Sequence, residues 1–205
     1  MHRNKRYALI FTLIVSLSGC VEKGWNTSNL KDEFTGSSSC RVERNSEFQR
    51  DFVKGFTGNY FTYHFFAEKR DNQIRAGIMS EPAIPIGGDV QIKVGEKLIT
   101  LTSADTPIDV APATPDYSYS PETAKKLGYD LGNTMAKITK NIQQIQSPYR
   151  VLTDKKALSL LKDMANTNEE IKFRIIGVNS ALSATGVITT GPEFTKALTK
   201  CGINL

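Results

Sequence analysis

The chain has 205 residues, with 26 Lys+Arg against 21 Asp+Glu and a formal charge of +5. Three of the basic residues fall within positions 1–19, so the remainder carries 23 basic and 21 acidic residues, a net of +2. Recognition of nucleic acid requires a basic patch or stripe. No such block appears, and the short pairs Lys125-Lys126 and Lys155-Lys156 read as solvated helix faces, so no nucleic-acid partner is expected.

The chain opens with a leader pattern. His2, Arg3, Lys5 and Arg6 make a basic start, and Tyr7–Ser18 is an apolar stretch. Its dozen or so residues suit a signal-peptide core and fall short of the roughly 18 of a transmembrane helix. Leu17-Ser18-Gly19-Cys20 closes the stretch, and the chain turns polar at once. This order resembles the lipobox of bacterial lipoproteins. The resemblance implies a signal peptide over residues 1–19, cleavage before Cys20, and lipidation of its thiol with long acyl chains such as palmitate. Each buried methylene contributes about 0.8 kcal/mol, so several chains anchor firmly. The competing reading is an ordinary signal peptide or signal anchor in which Cys20 is incidental. In lipoproteins of many Gram-negative bacteria, Asp directly after the cysteine favours the inner membrane. Val21 here implies the outer membrane instead, at its periplasmic face or the cell surface.

Residues 20–39 read as the lipidated cysteine and a flexible tether. They are mostly polar, lack a sustained period and end in Gly36-Ser37-Ser38-Ser39. Trp25 fits either the lipid interface or the surface of the domain. Residues 40–205 are long enough for a single globular periplasmic domain with its own core.

Strand signals dominate from Phe52 to Thr102. In "NYFTYHFFAEK", Phe61, Tyr63 and Phe65 share one face, while Tyr60, Thr62, His64 and Phe66 share the other. "QIRAGIMS" reads as a second strand ended by Glu81-Pro82. "VQIKVGEKLITLT" reads as a hairpin turning at Gly95-Glu96-Lys97. Gly87-Gly88 permits a close backbone reversal; no helix start follows it to make a phosphate cradle. Residues 103–121 hold four of the eight prolines and form a long connection, in which Tyr117 and Tyr119 are candidate contact residues. The plainer reading has these two tyrosines sealing an edge of the core.

Helices are expected next. Ser120-Pro121-Glu122 supplies an N-cap, a proline at the first helical position and an early acid. Ala124, Leu127, Leu131, Ile138, Ile142 and Ile145 then mark one face. A second helix starts near Thr153-Asp154, with Ala157, Leu158, Leu161, Met164 and Ala165 inward. "EIKFRIIGV" alternates as a strand through Ile171, Phe173 and Ile175, and "SATGVITT" can pair with it. In "GPEFTKALTKCG", Phe194, Ala197, Leu198 and Cys201 form one helical stripe. The predicted fold is α+β: an antiparallel β-sheet or β-sandwich-like core with two to three helices in the C-terminal half.

After Cys20 only Cys40 and Cys201 remain, and two cysteines in an exported chain favour a disulfide. Two buried free thiols are the alternative. No metal is expected, because the chain beyond the leader has one histidine, His64, and no cysteine pair at ligand spacing. No cofactor is expected either.

The segment "FRIIGVNSALSATGVITTGPEFTKALTKC" resembles the closing module of the invasion-associated locus B (IalB) family, whose members end in a strand pair and a short "F..AL" segment. Here those residues are Phe194, Ala197 and Leu198. "RAGIMSEPAIPIGGDVQIKV" is similar to that family's central strands. The family often has further cysteines, and a long helical stretch such as 121–146 is not typical of it. The resemblance implies a β-sandwich-like envelope domain concerned with host interaction and carries no catalytic residues.

An enzyme needs a group that exchanges protons or attacks, held by a partner. His64 sits within an aromatic strand, and no G-x-S-x-G elbow occurs. The expected function is therefore a non-catalytic binding or envelope-assembly module, serving host interaction or a secretion or conjugation system. Its partners would be the membrane, through Cys20, and an envelope protein or glycan. The alternative is a periplasmic hydrolase acting on cell-envelope material, for which Glu169-Glu170 and His64 are the available groups.

Overall fold

The computed structural model describes residues 24–49, 62–108, 131–177, 180, 182–183 and 185–205. Cys20, Tyr117, Tyr119 and the expected helix start at Ser120 lie outside the described residues. In chain order the elements are β1 (Asn26–Lys31), β2 (Ser38–Gln49), β3 (Thr62–Arg70), β4 (Gln73–Glu81), β5 (Gly88–Val94) and β6 (Lys97–Leu101). They continue with α1 (Leu131–Gln146), β7 (Tyr149–Thr153), α2 (Asp154–Ala165), β8 (Ile171–Gly177), β9 (Gly186–Ile188) and α3 (Pro192–Lys200).

The strands form two antiparallel sheets, one ordered β1-β2-β3-β4-β7 and the other β6-β5-β8-β9. The architecture is α+β with a sandwich-like core. Alternation decides which residues enter that core. From the first sheet come Val42, Tyr63, Phe65 and Ile78, and from the second Val90, Ile92, Phe173 and Ile175, all buried. Helix α2 adds Ala157, Leu160, Leu161 and Met164, and α3 adds Phe194, Ala197 and Leu198. The β5–β6 hairpin turns at Gly95, whose φ of +55° is the left-handed region that a glycine tolerates without steric cost.

Two expectations change and one open alternative, that of Trp25, is decided. Residues 26–39, expected within a tether, instead supply β1, a turn and the start of β2, so the folded unit begins well before Cys40. An edge strand binds through its main chain, and β1 therefore leaves no hydrophobic period to read. Trp25 packs on the domain, with its ring 4.4 Å from Phe194 and 6.0 Å from Phe65. Finally, Ile138, Ile142 and Ile145 are exposed, whereas Gln144 is buried.

Cys40 and Cys201 form a disulfide across a sequence separation of 161, with their Cα atoms 5.2 Å apart. The α3 stripe brings Cys201 against the core beside β2, as its spacing predicts. Lys69 Nζ donates to the Gly202 carbonyl at 3.0 Å, adding a second tie between β3 and the chain's last turn.

Candidate functional site

The described start of the long connection, Pro107 and Ile108, meets the end of α1 and one edge of the larger sheet around a cleft of about 540 Å³. Its remaining walls are Arg70, Gln143, Gln146, Ser147, Pro148 and Tyr149. The side-chain oxygen of Gln143 is buried there without a hydrogen-bond donor. Exposed Ile142 and Ile145 lie on the same end of α1.

Hydrogen bonds, rather than apolar burial, hold this end of α1 in place. Gln144 Nε2 donates to the carbonyls of Thr106 and Ala104 at 3.0 and 3.3 Å. Arg150, the largest fully buried side chain among the described residues, projects from β7 on the same face as its cross-strand neighbour Ile78. Its guanidinium donates to Gln144, Ile145 and Ser147 carbonyls at 3.2–3.3 Å, where α1 ends and carbonyls lack helical partners. It also donates to Ile86 and Gly88, at 2.5 and 2.8 Å, and to Tyr149 at 2.7 Å. Burial pushes the Arg150 pKa down, opposed by the charge of Asp89. An arginine nonetheless stays cationic at neutral pH. These bonds turn the isoleucines outward, which sequence periodicity does not reveal.

The connection is pinned at its other side too. Thr106 Oγ1 donates to the Thr102 carbonyl at 3.1 Å and accepts from the Val151 amide at 3.4 Å. Thr102 Oγ1 donates to Asp105 at 2.7 Å, and Lys156 Nζ donates to it at 2.8 Å. The Lys156 hydrogen bond, with help from Thr102, holds the Asp105 carboxyl below its ordinary range.

A polar cluster occupies the larger sheet's face away from the core. His64 Nε2 lies 2.8 Å from Glu81 Oε2, pairing the one histidine beyond the leader with a carboxylate that is 65% exposed. Glu68 is buried and pairs with Arg41 at 3.1 Å, with Arg70 at 3.9 Å. Arg41 also stands 5.1 Å from the Phe66 ring centre, and Phe66 meets Tyr149 edge-on at 5.8 Å. Phe66 and Tyr149 thus join this cluster to the cleft wall.

No protein-family model, curated protein or solved structure matches this chain. Of the residues singled out in the sequence, the structure joins Cys40 to Cys201 and gives His64 a carboxylate neighbour. It places the exposed Glu169-Glu170 pair before β8, in neither the cleft nor the His64 cluster. Arg150, Gln143 and Gln144 escaped sequence reasoning. Their polar character among apolar neighbours was a signal, without indicating a partner.

Proposed function

We propose that this chain is an outer-membrane-anchored lipoprotein acting as a non-catalytic binding or envelope-assembly module, with its partner contact at the cleft between α1 and the Thr106 connection. The supporting observation is the run of exposed isoleucines leading to that cleft, where Gln143 offers a buried acceptor without a donor. Contiguous apolar surface rimmed by polar groups marks interaction sites. The anchor rests on the Leu17–Cys20 pattern; host interaction is the setting the IalB resemblance suggests, and a secretion or conjugation system is one that employs small lipoproteins.

The folded unit's early start refines the geometry. Only a handful of residues separate Cys20 from β1, so the chain between them reaches roughly 20 Å at full extension. The domain would sit close to the lipid surface rather than swing on a long leash.

The test places a photo-crosslinking residue at Gln146 in the intact envelope and identifies what is captured by mass spectrometry. One reproducible envelope protein or glycan, lost when Ile142 becomes Ser, supports the reading. Cys20→Ser should abolish lipid labelling and free the protein from the membrane fraction; persistent labelling would overturn the anchor.

A second reading, a hydrolase of cell-envelope material, draws on the His64–Glu81 contact. A carboxylate can orient a histidine as general base. Turnover of envelope polymers by the wild type, abolished in His64→Ala, would favour it over the binding module.

A further inference from the structure

We propose that the acidic β1–β2 hairpin tip of one molecule docks into a cationic cleft on the smaller sheet of a second copy. The tip carries Phe34 with its whole side chain exposed, next to exposed Leu30. A fully exposed phenyl ring is costly to keep in water, yet its backbone is ordered rather than loose. Asp32 accepts from the amides of Phe34 and Thr35 at 2.9 and 3.3 Å and from the Thr35 hydroxyl at 2.6 Å. Asp71 ties the tip's far side by accepting from Ser37 and Ser38. The Thr35 hydroxyl and Phe34 amide hold the Asp32 carboxyl below its ordinary range, so it stays ionised. Asp32 and Glu33 precede Phe34 at the tip, while the cations Lys31, Lys69 and Arg70 stand nearer the hairpin's base.

The receiving surface has the opposite character. On the smaller sheet, positions 91 and 93 of β5 and 172 and 174 of β8 alternate with core-facing residues and therefore share the outer face. Lys93 and Lys172 stand directly opposite each other in register. Like charges so placed destabilise a sheet, and neither makes an ion pair among the described residues. Arg174 lies beside them, fixed through two bonds to Gln91 at 2.8 and 2.9 Å. These side chains line a cleft of about 440 Å³ with exposed Leu98, Thr185 and a single acid, Glu96. Phe34 would lie on Leu98 while Glu33 neutralises the lysine pair.

The tip and the cleft are different patches, so a one-way contact is head-to-tail, giving a ring where the rotation closes and a filament where it does not, and a reciprocal pair closes as a two-fold dimer. A knob of a few residues buries far less than the roughly 800 Å² per partner of a stable complex. Association is accordingly weak in dilute solution and gains from any arrangement that raises local concentration. The proposal does not depend on the lipid anchor.

Sedimentation velocity of the full chain in detergent, over a range up to about 1 mM, should show concentration-dependent, salt-sensitive association. Phe34→Ser, Glu33→Lys and Lys93→Glu/Lys172→Glu should each weaken it at least tenfold without lowering the melting temperature. Mixing Glu33→Lys with Lys93→Glu/Lys172→Glu should restore heteromeric association. A photo-crosslinking residue at Phe34 should link to the peptide containing Leu98 or Thr185. A monomer throughout the range, or association unchanged in these variants, overturns the proposal. So does a cleft that binds anionic vesicles or a foreign acidic peptide while the protein remains monomeric.

Discussion

Arg150 Nη2 donates to the Ile86 carbonyl at 2.5 Å, linking the edge strand of the larger sheet to the segment that leads into the smaller one. The same guanidinium holds the end of α1, so one side chain joins three segments, two of which, α1 and β7, wall the cleft. Backbone packing beside it is equally tight. A Cβ on Gly77 would collide with the Arg150 main-chain carbonyl, and one on Gly88 with that of Ile176.

Removing that guanidinium leaves several buried carbonyls without donors. Each unsatisfied buried group costs about 1–3 kcal/mol, so Arg150→Met should lose at least about 3 kcal/mol in urea unfolding at pH 7. Arg150→Lys keeps the charge but offers three donors from a point instead of a planar fork. It should recover less than half of the loss. A stability equal to wild type in Arg150→Met would mean that these bonds are replaced by water at no cost.

The Cys40–Cys201 bond ties β2 to the chain's last helix, closing a loop of 161 residues. Loop entropy sets the contribution of such a closure near 5 kcal/mol, with about 2–5 typical when native bonds are removed from small secreted domains. Cys40→Ala/Cys201→Ala should therefore melt at a markedly lower temperature than the oxidised protein. Non-reducing peptide mapping of protein taken from the envelope should recover the two joined peptides. Free alkylation of both thiols would contradict the pairing.

Acid should weaken the connection selectively. Asp105 is ionised more readily in the folded chain because Lys156 and Thr102 donate to it. A carboxyl with a depressed folded pKa contributes stability that is complete above its unfolded pKa, near 3.8, and is lost as pH falls through the lower folded value. Lys156 is mostly exposed, so the pair is worth only about 0.2–1 kcal/mol. Asp105→Asn should lower the melting temperature slightly at pH 6–8, and the difference should vanish toward pH 2. A constant difference across that range would assign the effect to packing.

The elements with a regular apolar period were legible in the sequence. Tyr63 and Phe65 on β3, the turn at Gly95, and the stripes of α2, β8 and α3 all carry the period of the element they form. Leu160 alone is missing from the expected inner face of α2. What the sequence hid depends on partners far along the chain. β1 pairs through its main chain, so Asn26–Lys31 reads as a polar linker. β7 is short and carries Arg150 inward, which conceals its strand pattern. Glu68 and Arg41 look like surface charges until they are brought together across β2 and β3. The α1 stripe was recognised and its direction was not, because direction comes from Gln144 and Arg150. At the candidate site, the connection and the helix facing it were each visible in the sequence; that the two meet was not.

That outward stripe separates contact from packing. Ile138, Ile142 and Ile145 are 45–56% exposed, and surface substitutions of this kind usually change stability by less than about 0.5 kcal/mol. Ile138→Ser/Ile142→Ser should therefore melt like wild type while its capture of the envelope partner falls about tenfold. In sequence the connection runs on to Tyr117 and Tyr119, outside the described residues, whose rings and hydroxyls would add contact area and hydrogen bonds. Tyr117→Ala/Tyr119→Ala should likewise lose capture at an unchanged melting temperature. If capture in either double variant falls only in step with stability, the residues changed are packing elements. If capture persists in both, the partner does not bind at this cleft and the site assignment fails.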